Sequence, residues 1–142
     1  MQWSGRRVGD TYFKGDDATV KTVLVVEDHK HERILYEREL TAEGYRVILA
    51  ENGREALQKT QEERPDAVVL DINMPQMDGL EALGRILEAH HKTPVIINTA
   101  YSSYKGSFMS WAADAYVIKS SDLTELKDRL REALSRGETE GV

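Results

Sequence analysis

The sequence contains no cysteine, no long apolar run and no excess of positive charge. The absence of cysteine excludes a disulfide framework and thiol catalysis, and it fits a reducing compartment. No apolar stretch approaches the length of a membrane span, and the N-terminus lacks the charged and apolar regions of a secretion signal. A formal net charge of −6 argues against gripping a nucleic-acid backbone, which needs a basic face. We therefore expect a cytoplasmic protein that contacts neither membrane nor nucleic acid directly.

Five short apolar runs indicate the strands of a single domain. The 142 residues, 40% hydrophobic and 31% charged, suffice for one globular domain with its own core. The runs are rich in β-branched residues and lack alternation, which is typical of strands buried on both faces of a parallel sheet. They are VLVV (23–26), VILA (47–50), AVVL (67–70), VII (95–97) and AYVI (115–118).

Segments of helical composition follow each strand, which gives the order βαβαβαβαβα and predicts a doubly wound (βα)5 α/β fold. The predicted helices cover residues 29–44, 53–64, 79–90, 101–111 and 122–137. The first is bounded by Gly44, and the last closes on Gly137. The segment 101–111 is poor in helix formers, so we expect that helix to be short or mobile. We expect residues 1–20 to be a flexible extension, with an added strand or docking segment as the alternative. The domain then covers 21–137, residues 138–142 form a tail, and no output domain is expected.

Charged and polar residues stand where the strands end. In a parallel sheet these ends share one edge, where ligands bind. Singly, each residue could be a helix cap or a solvated side chain. Together they bring three acids, one hydroxyl and one ammonium to this edge, and five caps would not need this mixture of acids with one base. Crowded carboxylates repel unless a cation joins them, and hard oxygen ligands favour Mg²⁺. The residues concerned are Glu27, Asp28, Asp71, Asn98, Thr99, Ala100 and Lys119.

Four stretches carry a family resemblance. VLVVEDHKHER, VVLDINMPQMDGLEAL, NTA and AYVIK together resemble the receiver domain of bacterial two-component response regulators, in its stand-alone form, over roughly residues 21–136. The resemblance implies a flavodoxin-like sandwich whose five-stranded parallel sheet has the order 2-1-3-4-5. The histidine pairs His29/His31 and His90/His91 are expected to be solvated, because their spacings do not share a helix face.

The resemblance also implies a phosphoryl-transfer site. Asp71 would take a phosphoryl group from a phosphohistidine on a sensor histidine kinase or phosphotransfer protein. Asp28, Asp71 and the backbone carbonyl of Asn73 would bind Mg²⁺ (or Mn²⁺), with Glu27 acting through water. Lys119 would pair with a phosphoryl oxygen. The chain would then be no enzyme beyond its own phosphorylation and dephosphorylation.

Further residues are assigned to switching by the same resemblance. Thr99 would donate its hydroxyl to the phosphoryl group, and the backbone N–H of Ala100 would face the same group. Tyr116 would turn inward as Thr99 moves, which would remodel the face of the fourth helix, fifth strand and fifth helix for an unknown downstream protein. Asn73 and Tyr101 would tune how fast the phosphoryl group is lost.

The sequence departs from the family pattern at two positions. Ser120 stands where the family usually has a proline after a cis bond, and a cis bond before serine would cost about 2.5–4 kcal/mol, so a trans Lys119–Ser120 bond is favoured. Asn98 replaces an apolar residue and needs hydrogen-bond partners if it is buried. Two alternatives remain open: a degenerate receiver that docks partners without phosphorylation, and an Asp-nucleophile phosphatase of the haloacid dehalogenase type. The latter would need an aspartate in place of Asn73.

Overall fold

A five-stranded parallel sheet forms the centre of the protein. The computed structural model describes residues 6–8, 11–13, 20–72, 79–100 and 113–140. After two short N-terminal strands, β1 (Arg6–Val8) and β2 (Thr11–Phe13), the sheet contains β3 (Thr22–Val26), β4 (Arg46–Ala50), β5 (Ala67–Leu70), β6 (Val95–Thr99) and β7 (Ala115–Ile118). Its order is β4-β3-β5-β6-β7, with all neighbours parallel. Counted from β3, this is the order 2-1-3-4-5, so the predicted flavodoxin-like fold is confirmed.

Four helices cover the two faces of the sheet within the described residues. They are α1 (Lys30–Ala42), α2 (Gly53–Glu63), α3 (Gly79–Ala89) and α4 (Thr124–Glu140). The remaining predicted helix, at 101–111, lies outside the described residues. Among the helices that are described, none is both long and apolar enough to cross a membrane.

Successive residues of the central strand point into two separate cores. Val23 and Val25 pack with the inner faces of α1 and α4, whereas Leu24 and Val26 pack with those of α2 and α3. All four are at most 1% exposed. Because both faces of β3 are buried, the strand is continuously apolar, which explains why its sequence shows no alternation.

The ends of the helices agree with the sequence except at the last one. Gly44 has φ +100° just after α1, the left-handed conformation that glycine adopts most easily. The chain also turns left-handed at Arg64 after α2. However, α4 continues to Glu140, three residues beyond its predicted end at Gly137. Glycine lowers helix propensity by about 1 kcal/mol but does not by itself stop a helix.

The N-terminal region contains structure that the sequence prediction did not assign. β1 and β2 form a two-stranded antiparallel sheet, with Arg6 opposite Phe13 and Val8 opposite Thr11. An added strand was the alternative for residues 1–20, and these six residues form two strands, while the flexibility of the extension stays a prediction. Gly9 and Asp10 separate the two strands in the sequence, and a two-residue spacing containing glycine is a hairpin signal.

Candidate functional site

Backbone hydrogen bonds place three charged residues at the same edge of the sheet. Each of these residues follows a strand directly and extends its ladder by one bond. The N–H of Glu27 donates to Ala50 O at 3.0 Å, that of Asp71 to Val26 O at 3.1 Å, and that of Lys119 to Thr99 O at 2.8 Å. The rigid sheet therefore fixes where these side chains begin. The convergence that was predicted from strand order is present.

Lys119 lies at the centre of a cluster of carboxylates. Its Nζ is 2.7 Å from Glu27 Oε1, 2.8 Å from Asp71 Oδ2 and 2.8 Å from Glu32 Oε1. The Glu27 and Asp71 side chains are 1% and 5% exposed, while that of Glu32 is 37% exposed. One ammonium thus bridges two buried acids and one acid that reaches solvent.

The charge states follow from these contacts. Burial alone would lower the pKa of Lys119, but its hydrogen bonds to Asp71, Glu27 and Glu32 outweigh burial and hold that pKa above its usual value. Burial raises the pKa of Glu27, although Lys119 and His29 oppose this. The ammonium is therefore charged at neutral pH, and the glutamate is the acid whose charge burial disfavours.

His29 is exposed to solvent as expected, and it also contacts acids of the cluster. Its side chain is 64% exposed, yet Nδ1 lies 3.0 Å from Glu27 Oε2, 3.1 Å from Asp28 Oδ1 and 3.5 Å from Glu32 Oε2. The hydrogen bond to Glu27, followed by the charge of Asp28, raises the pKa of His29. No spacing in the sequence signals this, because the contacts come from residues that the strand end and the first turn of α1 bring together.

The acids at the strand ends suit a hard divalent cation. Glu27, Asp28 and Asp71 each offer a carboxylate oxygen, and these oxygens lie within 4.8 Å of one another. Asp28 Oδ1 is buried and accepts no hydrogen bond from any described residue, while the neighbouring His29 Nδ1 is hydrogen-bonded to Glu27. With Glu32 the cluster contains four carboxylates, of which three contact the Lys119 ammonium. A divalent cation bound here would be held by oxygen ligands and would reduce this excess of negative charge.

Thr99 and Ala100 lie where the sequence placed them. Thr99 is fully buried at the end of β6, and Ala100 beside it is exposed. Tyr116 is partly buried on β7 and packs against the core on the side of α2 and α3. Asn73 and Tyr101 lie outside the described residues. No peptide bond among the described residues is cis, so the favoured trans Lys119–Ser120 bond is confirmed.

Asn98 finds a partner in the core. It is 4% exposed, and its side chain forms a hydrogen bond with the hydroxyl of Tyr36, which is 3% exposed on α1. Burial raises the pKa of Tyr36, and the hydrogen bond with Asn98 opposes this. The requirement that a buried Asn98 be satisfied is thus met, and the bond ties α1 to β6 next to Thr99.

Gly79 begins α3 directly against the loop end of β5. A methyl group in its place would overlap the backbone of Ile72 and lie 2.5 Å from the carbonyl oxygen of Asp71. Glycine is therefore required here by the close approach of two backbone segments. The first turn of α3 therefore packs against the backbone of Asp71 and limits its movement.

Glu32 is the member of the cluster that the sequence interpretation missed. It stands four residues after Asp28, in the first turn of α1. Side chains of a helix lean toward its N-terminus, so an acid in the first turn can reach the strand end that precedes the helix. The spacing of four residues between Asp28 and Glu32 was therefore the sequence signal that could have identified Glu32. Arg33 Nη1, which donates to the carbonyl oxygen of Glu27 at 2.8 Å, holds the same turn in place.

Comparison with known proteins identifies this arrangement. Residues 23–131 match the family model described as the response regulator receiver domain. The chain belongs to the response regulator receiver family. It is therefore a receiver domain of two-component signalling, and the phosphatase alternative is set aside.

Individual relatives support the same assignment. Response regulator MprA of Mycolicibacterium vanbaalenii is 40% identical over 116 residues, which are 80% of this chain and 50% of that protein. Response regulator TrrA of Thermotoga maritima, solved in complex with Mg²⁺-BeF, is 44% identical at a TM-score of 0.78, over 80% of this chain and 99% of that one.

TrrA has also been solved in complex with the histidine kinase ThkA. The matched chain in that complex is 44% identical to this one at a TM-score of 0.76. The match covers 81% of this chain and 99% of that one. The chain spans about half the length of the MprA proteins that it matches.

Proposed function

We propose that Asp71 accepts a phosphoryl group from a phosphohistidine and that its phosphorylation switches a protein-interaction surface. The observation that carries this proposal is the contact of the buried Asp71 carboxylate with the Lys119 ammonium at 2.8 Å. Two further acids, Glu27 and Asp28, offer oxygens within 4.8 Å. A carboxylate nucleophile next to a fixed cation and a cluster of hard ligands suits phosphoryl transfer.

The transfer forms one bond and breaks one. A carboxylate oxygen of Asp71 forms the new O–P bond while the P–N bond of the donor breaks, and the imidazole leaves with the electron pair of that bond. Lys119 pairs with a phosphoryl oxygen, while the hydroxyl of Thr99 and the backbone N–H of Ala100 donate to the others. Lys119 already contacts Asp71, so its charge lies near the reacting oxygen before the transfer, whereas the hydroxyl of Thr99 would move toward it.

A bound Mg²⁺ or Mn²⁺ would neutralise the charge that builds on the phosphoryl group, and it would be held by Asp28, Asp71 and the backbone carbonyl of Asn73, with Glu27 acting through water. Asp28 Oδ1 supports this ligand set, because it is buried and accepts no hydrogen bond from the described residues, although His29 Nδ1 lies 3.1 Å away. Asn73 and Tyr101 are proposed to set the lifetime of the phosphorylated state, with the bulk of Tyr101 hindering the attacking water.

The output is proposed to pass through Thr99 and Tyr116. Thr99 is fully buried, so movement of its hydroxyl toward Asp71 would change the packing around it. Tyr116 borders a polar surface depression that α4 lines with Glu125, Arg129 and Glu132. We propose that a downstream protein binds this face.

The partners follow from the family. A sensor histidine kinase or phosphotransfer protein would supply the phosphoryl group, as the complex of TrrA with ThkA suggests. The formal charge of −6 gives no support to direct nucleic-acid binding by this domain. We propose that the domain works in the cytoplasm and changes only its own phosphorylation state. The contact between Lys119 and Asp71 supports this over phosphorylation-independent docking.

Intact mass spectrometry tests the proposal. The protein is incubated with Mg²⁺ and acetyl phosphate, beside Asp71→Asn and a sample containing a chelator. A gain of one phosphoryl group in the wild type alone, lost on chelation, is expected. A gain of one phosphoryl group that Asp71→Asn also shows would contradict the proposal, because the group would then be on another residue.

A further inference from the structure

Glu32 is the most exposed of the three carboxylates that contact Lys119. Its Oε1 lies 2.8 Å from Nζ, and its Oε2 lies 3.5 Å from His29 Nδ1. The Glu32 side chain is 37% exposed, against 1% for Glu27 and 5% for Asp71. It can therefore turn into water without leaving a charge buried, whereas the other two carboxylates cannot.

The ammonium of Lys119 has no spare donor in this arrangement. A lysine ammonium carries three N–H donors and accepts nothing. Glu27, Glu32 and Asp71 provide three carboxylate oxygens at 2.7–2.8 Å. A phosphoryl oxygen that pairs with Lys119 must therefore take the place of one of them. Phosphorylation would remove the carboxylate charge of Asp71, and Glu27 would help to hold the metal. Glu32 is thus the one of the three that would keep its charge, hold no metal and be able to turn into solvent.

We propose that Glu32 is a positioning residue that holds Lys119 in the unphosphorylated protein and competes with the phosphoryl group for its ammonium. The inference rests on the proposed role of Asp71 as the phosphoacceptor. Glu32 thereby weakens binding of the phosphoryl group relative to a site without it. Release of Glu32 accompanies phosphorylation, and its return to Lys119 accompanies loss of the phosphoryl group.

A matched control lies on the same helix. Glu39 of α1 contacts Lys127 of α4 at 2.8 Å, and its side chain is 39% exposed. Glu39→Gln removes the same charge from the same helix and also breaks a lysine contact, but away from the strand ends. A difference between Glu32→Gln and Glu39→Gln therefore reports the position of Glu32 and not the net charge or the helix.

The test is the affinity for beryllium fluoride, a phosphoryl mimic, measured by fluorine NMR or calorimetry with Mg²⁺ saturating for each variant. Glu32→Gln should bind beryllium fluoride about 3- to 10-fold more tightly than the wild type, because one partly exposed ion pair no longer has to be broken. Glu39→Gln should match the wild type. When Lys119 is also replaced by methionine, Glu32→Gln should no longer increase the affinity for beryllium fluoride. Lys119→Gln takes the place of Lys119→Met if the latter does not fold.

Each outcome decides the proposal. Equal or weaker binding by Glu32→Gln, with the wild type binding normally, overturns the competition and leaves the role of Asp71 intact. A gain that persists without Lys119 also overturns it, since Glu32 would then act by repelling the anion directly. If the wild type binds no beryllium fluoride while Mg²⁺ binds, the proposed role of Asp71 fails and the competition fails with it.

Discussion

Replacing Lys119 by methionine should destabilise the metal-free protein strongly. Glu27 and Asp71, whose side chains are 1% and 5% exposed, would both lose their ammonium partner. Removing one partner of a buried ion pair costs about 3–5 kcal/mol. Lys119 is itself 13% exposed, and Glu27 can take up a proton, so we expect a loss of about 2–4 kcal/mol in the free energy of unfolding.

Urea denaturation in the presence of a chelator measures this loss. Lys127→Met serves as the control, because Lys127 also contacts a glutamate at 2.8 Å but near the surface, and it should cost less than about 1 kcal/mol. At pH 8 the free energy of unfolding should therefore be clearly lower for Lys119→Met than for Lys127→Met. A Lys119→Met protein that loses no more stability than Lys127→Met would refute the view that Lys119 compensates buried charge.

The pH dependence of this loss has a defined sign. Burial already raises the folded pKa of Glu27 above its usual 4.5, and the opposing effect of Lys119 disappears in the variant, so the folded pKa rises further. A group with a raised folded pKa binds its proton in the folded state first, and the folded state gains stability as the pH falls through that pKa. The difference in the free energy of unfolding between wild type and Lys119→Met should therefore become smaller from pH 8 toward pH 5. A gap that widens over this range would contradict the assignment.

Three further predictions concern the core, the backbone and the metal. Tyr36→Phe should cost about 1–3 kcal/mol by leaving Asn98 unsatisfied, while adding Asn98→Leu should recover most of it; urea denaturation in which the two losses simply add would contradict the pairing. Gly79→Ala should cost about 1–3 kcal/mol and slow phosphorylation by acetyl phosphate, because its methyl group displaces the backbone at Asp71; an unchanged rate and stability would show that the backbone yields freely. Mg²⁺ at 100 times its dissociation constant should stabilise the wild type by about 2.7 kcal/mol, and at the same concentration Asp71→Asn less; a melting temperature that Mg²⁺ leaves unchanged would argue against the metal site.

The strands were open to prediction because burial on both faces leaves a plain signal. Runs such as AVVL (67–70) contain apolar residues at every position, and the structure gives that strand the same bounds. The acids at the strand ends were also predictable, since parallel strands bring their C-terminal ends to one edge. The strand order itself came from the family resemblance.

The contacts of Glu32 and His29 could not be predicted with the same ease. Both depend on how the first turn of α1 is oriented against the end of β3, which is a tertiary property. A bond such as that from Arg33 to the Glu27 carbonyl helps to fix this orientation, and its sequence signal is weak. Similarly, the pairing of Asn98 with Tyr36 joins residues that lie far apart in the chain.

The central claim is that Asp71 carries the phosphoryl group. The most direct measurement is to phosphorylate the protein with acetyl phosphate and Mg²⁺, reduce it with borohydride, and sequence its peptides by mass spectrometry. Reduction converts an aspartyl phosphate into homoserine, so homoserine is expected at position 71 and at no other aspartate. Homoserine at Asp28, or a phosphoryl group retained on a histidine or hydroxyl side chain with Asp71 unmodified, would contradict it.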